Sequence, residues 1–83
     1  MMPQIIPSYK GWRVVIWPND HAPPHVHVLG PCVLARFDLL CDLALVRYKS
    51  SEGFSLKQLK LVEAYLLKHV VTLCVAWGAI HGN

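Results

Sequence analysis

Charge is scarce in this chain and nowhere clustered: Asp, Glu, Lys and Arg make up 16% of its 83 residues. The basic residues (Lys10, Arg13, Arg36, Arg47, Lys49, Lys57, Lys60 and Lys68) form no run, so a formal charge of +3 creates no basic stripe for tracking a phosphate backbone. A nucleic-acid partner is permitted by this balance but not indicated. Cysteine is also sparse. Cys32, Cys41 and Cys74 make an odd count, contain no C-x-x-C pair and sit among apolar residues, which predicts inert, reduced, buried thiols in a cytoplasmic protein. A long hydrophobic run is missing as well. The most apolar stretch, Val70–Ile80, is too short to cross a bilayer, and extending it backwards meets Lys68 and Glu63, which predicts no membrane span. Met1–Ser8 is broken by Pro3 and Pro7 and does not read as a secretory leader. No glycine-rich loop follows a strand to cradle phosphates, and no serine stands in a nucleophile context. Internal repeats, low-complexity segments and linkers are absent too.

What the chain has in excess is apolar surface, with 54% hydrophobic residues. That excludes a disordered segment. It also exceeds what a single domain over 1–83 comfortably hides, and so predicts a homodimer or a partner interface.

The apolar residues change period midway. Residues 1–49 read mainly as strands: an edge strand over Gln4–Ser8, a tight turn at Lys10-Gly11, and strands over Trp12–Trp17, His25–Leu29 and Val33–Leu39. In the last of these Val33, Ala35, Phe37 and Leu39 alternate with Arg36 and Asp38, the pattern of a half-buried strand. Leu43–Tyr48 suits a further strand or a helix. Residues 54–82 read as helical. After a loop at Ser50–Gly53, Ser55 and Gln58 form a capping box, with Phe54 and Leu59 placed as a hydrophobic staple. Leu59, Val62, Leu66, Val70, Leu73, Trp77 and Ile80 then recur along one helical stripe. Val70-Val71-Thr72 is where β-branching would divide that helix, and Gly82 is where it would end. The predicted fold is α+β, a small antiparallel sheet of three to five strands with a C-terminal helix or broken helix packed on one face.

One stretch departs from ordinary core and turn chemistry. Asn19–Val28, NDHAPPHVHV, holds His21, His25 and His27 around Pro23-Pro24. On a strand, His25 and His27 project from one face about 6–7 Å apart at the backbone, while Val26 and Val28 face the core. His21 would fold back across the proline corner. Asp20 would serve as ligand, base or orienting acceptor, and Arg13 or Arg36 would steady a phosphate. Three imidazoles and a water suit zinc or another divalent transition metal, and so a metal-dependent hydrolase or nuclease. Equally, histidines serve the solvated face of a one-layer sheet, and Asp20-His21 serves a turn. The histidine-triad signature fails because its first histidine position is Pro23, and a cupin barrel needs more strands than this chain holds.

Taken together, N-D-H-x-P-P-H-x-H-V, the A-R-F-x-L strand, the S-x-x-Q-L helix start and the late W-x-x-I-H-G resemble a family of small bacterial proteins of unknown function. The resemblance spans nearly the whole chain and assigns no catalytic residue. It implies a small neighbour-encoded partner, a toxin–antitoxin-like arrangement, and favours a protein-interaction or regulatory module. Val70-Val71 and Cys74-Val75-Ala76 stand where such proteins carry charged residues, which again favours association with another surface.

Overall fold

The computed structural model describes residues 5–81. Among them four strands form one antiparallel sheet in chain order: β1 (Arg13–Val15), β2 (His25–Gly30), β3 (Val33–Leu40) and β4 (Leu45–Glu52). Two helices follow, α1 (Leu56–Lys68) and α2 (Val70–His81). The fold is α+β, as the change of period predicts.

Each element follows from local chemistry. Lys10 and Gly11 both take positive φ (55° and 79°), and Tyr9 and Trp12 exchange two backbone hydrogen bonds of 2.9 Å across them. That is the primed two-residue turn whose twist suits a hairpin. At the start of α1 the capping box is complete: the Gln58 N–H donates to Ser55 Oγ at 3.1 Å, and the Ser55 N–H donates to Gln58 Oε1 at 2.8 Å. The apolar stripe becomes the core contact of both helices. Val62, Leu66, Val70, Leu73 and Trp77 are buried against Val14, Val26, Val28, Ala35, Phe37, Leu39 and Val46 of the sheet and against Ile16 just beyond β1.

Several boundaries differ from expectation. The first long strand shortens to β1, because Trp12 is spent on the turn bridge with Tyr9 and Ile16-Trp17 leave the ladder. Residues 5–8 form no strand, although the Ile5 N–H donates to the Val14 carbonyl at 3.4 Å; Gln4 lies outside the described residues. Residues 41–44 are turn, and β4 runs on through Ser50, Ser51 and Glu52, where a loop was expected. An edge strand is solvated on its free side, so polar residues continue it as readily as apolar ones. The helix divides at His69, one residue before the β-branched run, where its N–H bonds the Leu66 carbonyl at 3.0 Å and its own carbonyl accepts from Leu73 at 3.0 Å. His69 thus ends one helix and begins the next. The expected stop at Gly82 lies outside the described residues.

The thiols need correction. Cys41, in the turn after β3, is joined by a disulfide to Cys74 of α2, while Cys32 is free and exposed. Short spacing motifs are blind to this pair, because 33 residues separate its members and only the docking of α2 brings their Cα atoms to 5.9 Å. Cys32 occupies the β2–β3 turn at φ 61°, which holds it at the surface. No helix among the described residues is long and apolar enough to cross a membrane.

Candidate metal centre

β2 sets the geometry of the histidine stretch. Val26 and Val28 point into the core, and the alternation leaves His25 and His27 on the other face, with ring centroids 5.1 Å apart and planes at 80°. The turn before β2 brings the carboxylate. Pro18 presets the backbone, the Asp20 N–H donates to the Trp17 carbonyl at 3.0 Å, and the Trp17 N–H donates to Asp20 Oδ2 at 3.2 Å. These reciprocal bonds fold Asp20 back over β2. Its Oδ2 lies 3.3 Å from His25 Nε2 and 3.8 Å from His27 Nδ1.

Among the described residues, Asp20, His25 and His27 are the one group of three whose ligand-type atoms converge, all within 4.8 Å of one another. His21 is exposed and stands outside this group, beyond the Asp20 turn; the Ala22–Pro23 peptide bond that follows is cis. Arg13 is exposed on β1 opposite Leu29, two rows from His27. Arg36 sits directly across from His27 on β3.

Burial differs from the expectation of a solvated histidine face. His25 is 2% exposed, because Trp77 of α2 reaches it with ring centroids 5.3 Å apart. Trp17 lies against His27 in the same way, at 4.4 Å. Sequence periodicity places Trp77 in the core stripe but carries no sign of its second contact, with a residue about fifty positions earlier.

Hydrogen bonding fixes one ring's proton. His25 Nδ1 is 2.9 Å from the Pro23 carbonyl oxygen. A carbonyl only accepts, so Nδ1 carries the hydrogen and Nε2 is left toward Asp20. On a neutral ring, Nε2 would present a lone pair to a carboxylate. That contact is favourable only with a proton or a cation between the two. His27 Nδ1 is buried and has no hydrogen-bond partner. A buried polar atom left in this state costs about 1–3 kcal/mol. Burial also lowers the pKa of His27 below its ordinary value of 6.5; the Asp20 carboxylate opposes the shift, while His25 and Arg36 add to it. His27 is therefore a neutral donor at physiological pH. Two imidazole nitrogens and a carboxylate oxygen, one orphaned and one with its tautomer set by a backbone carbonyl, match a borderline divalent ion.

A family model described as Domain of unknown function (DUF4160) matches residues 11–78, a span containing every residue of this cluster. No curated protein and no solved structure matches the chain.

Proposed function

The chain belongs to the DUF4160 family, a domain of unknown function, and from that premise we propose that it is a divalent-metal-binding domain centred on Asp20, His25 and His27. The observation that carries this reading is the buried, unpartnered Nδ1 of His27 facing the same carboxylate oxygen as His25 Nε2. An Asp20–His25 ion pair alone accounts for two of the three residues and leaves that nitrogen unexplained. Two imidazoles and one carboxylate also leave coordination positions for water. A metal there would acidify such a water, so hydrolysis is the chemistry the centre supports.

The test is metal content, by elemental mass spectrometry, of protein purified without a histidine tag and equilibrated with zinc. Wild type is expected to hold one ion per chain, His21→Ala to hold the same, and Asp20→Asn and His27→Ala to lose it while keeping their circular dichroism. An empty wild type, or a His27→Ala variant with undiminished zinc, removes the proposal.

A second reading, self-association as an interaction module, is favoured by Leu67, Val71 and Val75. Val71 and Val75 stand one turn apart on α2 and are exposed by 66% and 68%, and Leu67 at the end of α1 is exposed as well. Apolar side chains exposed in this way commonly mark a protein contact, and a second copy or a small neighbour-encoded protein would cover them. Light scattering of wild type beside Val71→Lys/Val75→Lys checks it: a dimer is expected to become a monomer, and a monomeric wild type discards the idea of a second copy.

A further inference from the structure

On the outer face of the sheet, beside the candidate centre, lies a cavity of about 350 Å³ lined by His27, Leu34, Arg36, Ser50, Ser51 and Glu52. The strand registers explain why these residues meet. His27 pairs with Arg36, and Arg36 with Ser50, so three strands contribute one residue each to a single row; Leu34 and Glu52 pair two rows on, on the same face. Immediately beyond, the β3–β4 register shifts between Arg36 and Phe37. Irregularities of this kind re-aim side chains and are frequent beside functional sites. His27 belongs both to this cavity and to the metal cluster, so the two adjoin at its ring.

Arg36 is the informative member. Its Nε is buried and makes no hydrogen bond; the nearest acidic oxygen, Asp38 Oδ1, is 3.5 Å away and also unpartnered. Asp38 is shared with Arg47, whose Nη2 lies 3.6 Å from its other oxygen. One carboxylate thus divides its charge between two guanidinium groups, and neither is fully neutralised. The charges near the cavity are Arg36, Arg47, Asp38, Glu52 and Asp20. With a divalent ion added at Asp20, His25 and His27, they leave the region with a net positive charge. Guanidinium forks suit phosphate oxygens through parallel N–H donors. The remaining lining is of another kind: the Ser50 hydroxyl, the Glu52 carboxylate and the apolar side chain of Leu34, while Ser51 pairs with the core residue Ala35 and spends its hydroxyl on Tyr48 Oη at 2.9 Å. Those groups suit the hydroxyls and carbon face of a sugar and not a second anion.

We infer that this cavity binds a small phosphate ester of a hydroxylated carbon skeleton, its phosphate between the centre and Arg36 and its hydroxyls toward Ser50 and Glu52. The inference rests on the metal reading of Asp20, His25 and His27, and it names the ligand class of that site. It also separates the two arginines that the sequence leaves equivalent. Arg36 lines the cavity, and Arg13 does not.

The experiment is a titration of ribose 5-phosphate, with ribose and inorganic phosphate as comparison probes, into ¹⁵N-labelled protein with and without one equivalent of zinc. Zinc binding is measured separately on the same samples. Ribose 5-phosphate is expected to shift the amides of His27, Arg36 and Ser50–Glu52 and to bind at least tenfold more tightly than either ribose or phosphate. Arg36→Gln is expected to weaken it about tenfold or more, the loss of a charged hydrogen bond. Arg36→Lys should fall between, and Arg13→Gln should match wild type. Zinc-loaded protein with no response to ribose 5-phosphate, or an Arg36→Gln variant with wild-type affinity, overturns the inference while leaving the metal reading standing. Ribose 5-phosphate bound through Arg36 in protein that takes up no zinc supports the cavity and sinks the metal centre instead.

Discussion

Trp77 of α2 and His25 of β2 lie in ring contact, centroids 5.3 Å apart with planes at 50°. This contact joins the last helix to the histidine strand and keeps the His25 ring dry. An imidazole under an aromatic roof loses competing water, and the hydrogen bond from His25 Nδ1–H to the Pro23 carbonyl is strengthened by the lower local dielectric.

Removing the roof has two separable effects. Trp77→Ala vacates a core position and is expected to destabilise the protein by about 3–5 kcal/mol in chemical denaturation. It also admits water to His25, so zinc affinity should fall in the variant even under conditions where it remains folded. Trp77→Phe keeps an aromatic ring and should recover most of both. Zinc affinity unaffected in folded Trp77→Ala would separate the helix from the centre.

The disulfide ties the turn after β3 to α2. Before reduction, a thiol reagent is expected to label Cys32 alone, one site per chain; after reduction and unfolding it should label Cys41 and Cys74 as well. Reduction should lower stability by about 2–4 kcal/mol, the usual effect of opening one native bridge. Labelling of all cysteines in unreduced, unfolded protein would show that the bridge does not form.

Stability should depend on pH through His27. Its folded pKa lies below 6.5 because burial disfavours the charged ring. The unfolded chain therefore binds more protons between 6.5 and that lowered value, and stability falls as pH drops through this window. Above 6.5 the contribution is complete. Metal-free wild type and His27→Asn, compared by thermal unfolding, should differ in slope within that window, with the variant flatter. Equal slopes would mean that burial does not penalise the His27 charge.

Gly53 closes β4 at φ +82°, and a Cβ there would run into the Cys32 carbonyl oxygen. Backbone cannot swing aside as a side chain can. Gly53→Ala is expected to cost more than about 2 kcal/mol through the left-handed conformation and the collision together. Gly11→Ala, also at positive φ but with open space around it, should cost less. The order of the two midpoints in urea checks this.

Much of the scaffold is legible in the sequence because it depends on period. The stripe from Leu59 to Ile80, the alternation from Val33 to Leu39 and the capping box at Ser55 and Gln58 are local patterns that the packed structure only has to accept. The shared side of His25 and His27 follows from the same rule of alternation. Asp20 and Trp77 show where that rule runs out. Asp20 is placed by reciprocal bonds with Trp17 that depend on the turn between them, and Trp77 by a helix docked from the far end of the chain. The Cys41–Cys74 bridge escapes for the same reason, being a product of docking. His21 illustrates the converse: nearness to His25 in sequence does not bring it into the cluster, since the turn that aims Asp20 inward leaves His21 exposed.

Nitrogen-15 NMR of the imidazole rings during zinc addition tests the centre most directly, because it reads each ring nitrogen separately. The account predicts that zinc moves His25 Nε2 and His27 Nδ1 to metal-bound shifts, keeps the hydrogen on His25 Nδ1 and leaves His21 unchanged. A His25 ring that stays doubly protonated against Asp20 at neutral pH, with no ring shifted by zinc, would contradict it.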